Sequence, residues 1–264
     1  MFKVTLKNRV QIDKMRVAGK LAAETLDFIT PHVKPGVSTE ELNTLCHDFI
    51  VSHKAIPAPL NYRGFPKSIC TSRNNVVCHG IPRSDDILIE GDIINIDVTV
   101  IVDGWHGDTS RMFEVGRVSP ARAKLVRDTH TAMMLGIQQV RSGAWLSEIG
   151  KAIDAFAKER GYGVVRDYCG HGIGQVFHED PVVLHYDHGD KAYDMRLKKG
   201  MVFTVEPMLN ASPNWQTHLQ PDEWTVLTTD GSDSAQFEHT IAVTDEGFEI
   251  LTQSPKGWLY PPYV

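Results

Sequence analysis

Apolar residues return along this chain with two different periods. Between residues 9 and 30, Ile12, Met15, Ala18, Gly19, Ala22, Leu26 and Ile29 recur at helical spacing, which predicts an amphipathic helix ended by Pro31. Pro35-Gly36 predicts a turn, and Ser38 or Thr39 a cap for a second helix. That helix has Glu41 in its first turn and Leu42, Leu45, Phe49 and Ile50 on its buried side. Residues 55–65 are rich in Pro and Gly and predict a loop, followed by short strands around 68–71 and 76–79. The period then becomes two. In IINIDVTVIVDGWHGDTS (93–110), Ile94, Ile96, Val98 and Val100 share one face, and Asn95, Asp97 and Thr99 the other.

Asp103-Gly104 sits between the two β-branched runs and favours a tight hairpin turn. A two-residue loop there pairs Val102 with Trp105, Thr99 with Asp108 and Asp97 with Ser110. Asp97 and Asp108 then lie diagonally on one face, about 7–8 Å apart at the backbone. A slip of one residue would send them to opposite faces. Two carboxylates held this way repel unless a cation lies between them, so the hairpin predicts a metal site.

After Ser119-Pro120 the pattern begins again. Residues 121–140 predict a long helix with Leu125, Val126, Thr129, Ala132, Met133 and Ile137 on its apolar side. Val140, Gly143, Glu148, Ile149 and Phe156 each lie 107 positions after Val33, Gly36, Glu41, Leu42 and Phe49. This offset suggests one domain over residues 1–264 made of two similar halves, about 10–119 and 120–250, with a site at the seam. The second half continues with Val164-Val165, the glycine-rich GHGIG (170–174), a strand-like MVFTVEPML from Met201, a loop bearing Trp215 and Trp224, and a last strand in AQFEHTIAV from Ala235. The aromatic, proline-rich tail SPKGWLYPPYV predicts irregular structure.

Composition narrows the function classes. The chain is 42% hydrophobic and 23% charged, with net charge −6 and a pI near 6.0, as in ordinary soluble globular proteins. No basic run points to nucleic acid, no apolar run reaches membrane-spanning length, and the N-terminus has no signal-peptide h-region. Cys46, Cys70, Cys78 and Cys169 have neither CxxC spacing nor disulfide density, so a reduced, cytoplasmic setting is expected.

Acidic and imidazole groups stand where short apolar segments usually have none: Asp97, Asp108, Glu206 after Met201–Val205, Glu238 before Thr240–Val243, and His171 between two glycines. Singly, each is explained as well by a turn or a solvated strand end. Jointly they converge in one core, and four carboxylates call for two divalent cations. An oxygen-rich set with one imidazole suits Mn²⁺, Fe²⁺ or Co²⁺ better than a thiolate zinc site. Paired metals activate water and polarise a carbonyl, as in aminopeptidases and phosphatases.

The segments YRGFPKSIC (62–70), VVCHGIP (76–82), GDIINIDVTV with DGWHGDTS, YCGHGIG (168–174), FHEDP (177–181), FTVEPM (203–208) and SAQFEHT (234–240) resemble the type I methionine aminopeptidases over nearly the whole chain. The resemblance implies an α/β "pita-bread" fold, two pseudo-symmetric halves of antiparallel sheet covered by helices around a dinuclear centre. It implies that Asp108 and Glu238 bridge two divalent metals (Co, Mn or Fe, with Zn and Ni also compatible), that Asp97 completes one site, and that His171 and Glu206 complete the other. It further implies that Glu206 takes a proton from the nucleophilic water, that His178 steadies the oxyanion and that His79 assists the leaving amine. Tyr62, Phe65, Cys70, Phe177 and Trp224 become a methionine pocket, where a thioether gains from ring contact. Asn74, Val76 and Ser234 resemble a monovalent-cation site.

The implied activity is removal of the initiator methionine from nascent chains by a metal-bound hydroxide when the second residue is small. Partners are nascent N-termini, with transient ribosome proximity, no nucleic acid, no membrane and a monomeric state. Phe65 stands where many relatives are expected to have tyrosine, Pro57 and Pro59 stiffen the preceding loop, and residues 211–223 look longer than in close relatives. The chain's own second residue is Phe2, so retention of Met1 is expected. Two rivals share the fold: a proline-specific peptidase, which would normally add an N-terminal domain, and a non-enzymatic binding module, which would be expected to have lost ligands.

Overall fold

The structure, a computed structural model, describes residues 3–189 and 194–263, so the expectation about Met1 and Phe2 lies outside the described residues. The first helix, α1 (Arg9–Ile29), starts at a reciprocal cap: the Asn8 side chain accepts from the Gln11 amide and the Gln11 side chain from the Asn8 amide. In the second, α2 (Thr39–Ser52), it is Ser38 that caps, accepting from the Glu41 amide at 3.1 Å. Two further helices, α3 (Pro120–Ile137) and α4 (Ser147–Glu159), pack on each other.

The hairpin joins strands Ile93–Val102 and Trp105–Glu114 in the register that its turn dictates, with Val102 opposite Trp105 and Thr99 opposite Asp108. Asp103 and Gly104 both have positive φ (48° and 78°), as a type I′ turn requires. Helix α1 lies across this hairpin, and α2 against α1. Ala18, Ala22, Leu26 and Ile29 of α1 and Leu42 and Ile50 of α2 bury with Ile94, Ile96, Val98 and Val100 in one core. A second core joins Leu125, Met133 and Ile137 of α3 and Ile149 and Ile153 of α4 to Phe203, Val205 and Ile241.

A nine-stranded sheet runs between the two cores among the described residues. Its order is Ile56–Pro57, Ile93–Val102, Trp105–Glu114, Glu238–Val243, Val202–Val205, Gly170–Gly172 and Glu179–Val183; Cys70–Arg73 also pairs with Ile93–Val102, and Phe248–Ile250 with Glu238–Val243. The apolar alternation thus faces the helices, and the polar alternation faces the seam. Similar bonds recur in the second half, 107 positions on for Gly36 and Val37 and 109 for their partner Leu88. The Gly36 amide donates to the Leu88 carbonyl and the Leu88 amide to Val37; the Gly143 amide donates to Leu197 and the Leu197 amide to Ala144, all at 2.8 Å.

Two predicted loops contain regular structure. Residues 55–65 hold the two-residue strand Ile56–Pro57 and a 3₁₀ turn at Tyr62–Gly64. The stretch with Trp215 and Trp224 forms antiparallel strands Thr217–Leu219 and Val226–Thr228, the second pairing with Val76–Cys78. The tail is irregular but anchored: Ser254 donates to Asp27, which is ion-paired with Arg111 at 2.5 Å, and the Tyr263 hydroxyl donates to the Met112 carbonyl. No helix among the described residues is long and apolar enough to cross a membrane.

Candidate metal centre

The sheet register builds the centre. Cys70 pairs with Asp97, Asp97 with Ser110, and Ser110 with Glu238, one row across four strands. The His239–Val205 pairing, carried one residue further, brings Glu206 to the end of that row. Two residues along, on the same face, Thr99 pairs with Asp108 and Thr240 with Thr204. The Thr240 hydroxyl donates to the Asp108 carbonyl at 2.8 Å, and the His171 amide donates to Thr204 Oγ1 at 3.0 Å. Five strands therefore aim Asp97, Asp108, His171, Glu206 and Glu238 into one space.

Ligand atoms of Asp108, His171 and Glu238 lie within 4.8 Å of one another. His171 Nε2 stands 3.6 Å from Asp108 Oδ2 and 3.7 Å from Glu206 Oε1. Threonines orient two of the acids: Thr99 donates to Asp108 Oδ1 and Thr204 to Glu206 Oε1, each at 2.6 Å. Gln236 Nε2 donates to Glu206 Oε2 at 3.3 Å, and the Glu206 amide donates to His185 Nε2 at 3.1 Å. Asp97 Oδ1 is buried with no hydrogen-bond partner among the described residues.

The electrostatics follow from this crowding. Burial, then the charges of Asp108 and Glu206, holds the Asp97 carboxyl well above the usual range; burial with Asp108, Glu206 and Asp97 does the same to Glu238. Burial lifts Glu206 to about 7 against the opposing pull of His171 and Thr204. Desolvation acts downward on His171, but contact with Asp108 and the charges of Glu206 and Asp108 outweigh it, and its pKa is raised. Without a cation the site can relieve its charge only by taking up protons. The donor set, the orphaned Asp97 oxygen and the raised carboxyls all fit divalent metal ions.

All the residues singled out for metal binding, catalysis or the methionine pocket line one cavity of about 690 Å³. Its apolar wall is aromatic: Tyr62 against Phe177 at 4.9 Å between ring centres, Phe65 against Trp224 at 5.1 Å, and His79 against Trp224 at 6.2 Å. His178 lies 4.1 Å from the His171 ring. Desolvation lowers His79 to about 4 and, with the nearby His171, His178 to about 3, so both are neutral at pH 7. Cys70 and Cys78 are buried, and both reach the cavity wall. Asn74 and Ser234 meet elsewhere, where the Asn74 carbonyl accepts from the Ser234 amide at 2.8 Å; Val76 is two residues on, in the strand opposite Leu227.

Of the supporting residues, Thr99 was placed opposite Asp108 by the hairpin register, while Thr204, Gln236 and His185 escaped the sequence reading. Period-two spacing from Glu206 could have found Thr204. Gln236 lies in a quoted segment without an assigned role, and His185 gives no local signal.

The model of metallopeptidase family M24 matches residues 13–245. A methionine aminopeptidase from Rickettsia prowazekii is 62% identical over 263 residues, 98% of this chain and 100% of the relative. The chain belongs to the type I methionine aminopeptidases of family M24. A methionine aminopeptidase from Escherichia coli K12 is 54% identical over 94% of each chain. The crystal structure of the Rickettsia prowazekii methionine aminopeptidase superposes with a TM-score of 0.91 at 60% identity, covering 94% of this chain and 99% of that one. A prolidase from Pyrococcus furiosus shares only the fold, at 21% identity and a TM-score of 0.72 over 65% of its length. As an M24 metallopeptidase of pita-bread fold, this chain is a hydrolase that uses divalent metal.

Proposed function

We propose that this chain removes the N-terminal methionine from nascent proteins and peptides whose second residue is small. The observation that supports it most is the meeting of four carboxylates and His171 in one cavity with an aromatic wall. Asp97, Asp108, His171, Glu206 and Glu238 would hold two divalent ions, Co²⁺, Mn²⁺ or Fe²⁺. When bound, they supply a nucleophile from water at neutral pH and polarise the scissile carbonyl. Glu206 takes up the proton lost by the attacking water. His178, neutral, donates to the developing oxyanion, and His79 contacts the scissile amide on the leaving side.

Tyr62, Phe65, Cys70, Phe177 and Trp224 hold the methionine side chain and exclude water from it. Asn74, Val76 and Ser234 bind a monovalent cation. The chain acts in the cytoplasm as a monomer near the ribosome, as one catalytic domain of two related halves. Release of methionine from Met-Ala-Ser after chelator stripping and addition of Mn²⁺, Fe²⁺ or Co²⁺ tests the reading. Metal-dependent release that vanishes in Asp97→Ala is expected. Cleavage only before proline, or none with any metal, would overturn it.

A further inference from the structure

Tyr62 stands at the cavity mouth on a segment whose backbone is costly to hold. Asn61, Arg63 and Gly64 all have positive φ (65°, 50° and 91°), and for Arg63 that region is unfavourable by roughly 1–2 kcal/mol. The turn closes on itself: the Tyr62 amide donates to the Pro59 carbonyl at 2.9 Å, the Phe65 amide to Tyr62 at 2.9 Å, and the Asn61 amide to Phe65 at 2.8 Å. Pocket lining alone needs a ring, not this ring in this place. Tyr62 Oη lies 2.9 Å from His178 Nδ1. The two rings overlap at 5.3 Å and 26°, and Phe177 packs on both, 4.9 Å from Tyr62 and 4.2 Å from His178. The bond also crosses the seam, joining a residue of the first half to one of the second.

We propose that the Tyr62 hydroxyl is a positioning group for His178, fixing the imidazole in the tautomer that turns Nε2–H toward the cavity. The Tyr62 hydroxyl donates its proton along this 2.9 Å contact with Nδ1. An accepting Nδ1 carries no hydrogen, so the proton of the neutral ring sits on Nε2. The reverse arrangement, Nδ1–H donating to the phenol oxygen, would leave only a lone pair facing the cavity, which repels a developing oxyanion. The inference rests on the aminopeptidase reading for the use of that proton, but not for the tautomer itself. Tyr62, His171 and Phe177 pack against the ring at 5.3, 4.1 and 4.2 Å and restrict its rotation, so the hydroxyl selects between two states of a ring already held in place.

Tyr62→Phe removes one oxygen and leaves the ring wall. In ¹⁵N-histidine spectra of chelator-stripped protein, wild-type His178 should show a single Nε2–H tautomer, and Tyr62→Phe a mixture. With metal restored, kcat on Met-Ala-Ser should fall about tenfold while KM stays within a factor of two. A wild-type His178 protonated on Nδ1, or a variant with unchanged tautomer and kcat, would overturn the proposal. A raised KM with kcat unchanged would also overturn it, reducing Tyr62 to pocket lining. Wild-type protein that releases no methionine would refute the aminopeptidase reading while the spectra still decide the tautomer.

Discussion

The two halves feed the same cavity by different means. The first half offers Asp97 and Asp108 from one long, regular ladder of ten residues per strand, closed by a two-residue turn. The second half offers His171, Glu206 and Glu238 from short strands, Gly170–Gly172, Val202–Val205 and Glu238–Val243, brought together from distant parts of the chain. A local ladder fixes two ligands through its own hydrogen bonds. The dispersed set depends on close backbone contact between strands that have no common turn, so its precision is a property of tertiary packing. The centre is correspondingly rigid on one side and contingent on the other.

Glycine substitutions break the two sides unequally. A Cβ on Gly172 would lie 2.1 Å from the Asp180 carbonyl oxygen and 2.9 Å from that of Glu179, backbone that cannot step aside. Gly172→Ala should destabilise by about 3 kcal/mol in denaturant titrations, with weakened metal binding as the strand bearing His171 shifts. Gly104→Ala, in the hairpin turn, meets nothing nearer than Gln175 Nε2 at 3.9 Å. Its positive φ alone should cost about 1 kcal/mol, with metal binding unchanged.

Between these in size lies a pH effect. Glu206 is raised to about 7 by burial, so the metal-free folded chain keeps a proton that the unfolded chain releases above about 4.5. The stability this group allows is therefore full below that value and lost as pH rises through 7; Asp97 and Glu238 act in the same direction. His130, lowered to about 4, and His185, lowered to about 3, act oppositely: buried neutral, they support the fold above 6.5 and weaken it as pH falls. Between pH 5 and pH 8, metal-free Glu206→Gln should lose about 2–3 kcal/mol less stability than metal-free wild type. Equal slopes in the two proteins would remove Glu206 from the charge conflict.

The same contrast explains what was legible in the sequence. The hairpin could be read to the residue, because strict alternation and Asp103-Gly104 together leave one register that puts both acids on one face. Helices α1 to α3 followed from spacing, with Ser38 or Thr39 as a cap for α2, and α4 from the 107-residue offset. Strands Thr217–Leu219 and Val226–Thr228 were hidden because they are short and partly exposed, and because their turn is made by side chains. The Asp222 carboxylate accepts from the Trp224 and Thr225 amides at 3.0 and 2.8 Å. Ile56–Pro57 is a two-residue edge strand, too short to carry a period. Individually, His171, Glu206 and Glu238 were as well explained by turns or strand ends; their joint placement on short apolar segments, and then the family resemblance, tied them together. His185 and Gln236 act through contacts between segments far apart in the chain, which no spacing encodes.

The central claim is that both halves together hold two divalent ions. Titration of Mn²⁺ into chelator-stripped protein, read as ions bound per chain, tests it most directly. Two ions should bind the wild-type chain and one should bind Asp97→Ala, which keeps the second-half ligands. A single ion in both proteins, or the same two in both, would contradict the account.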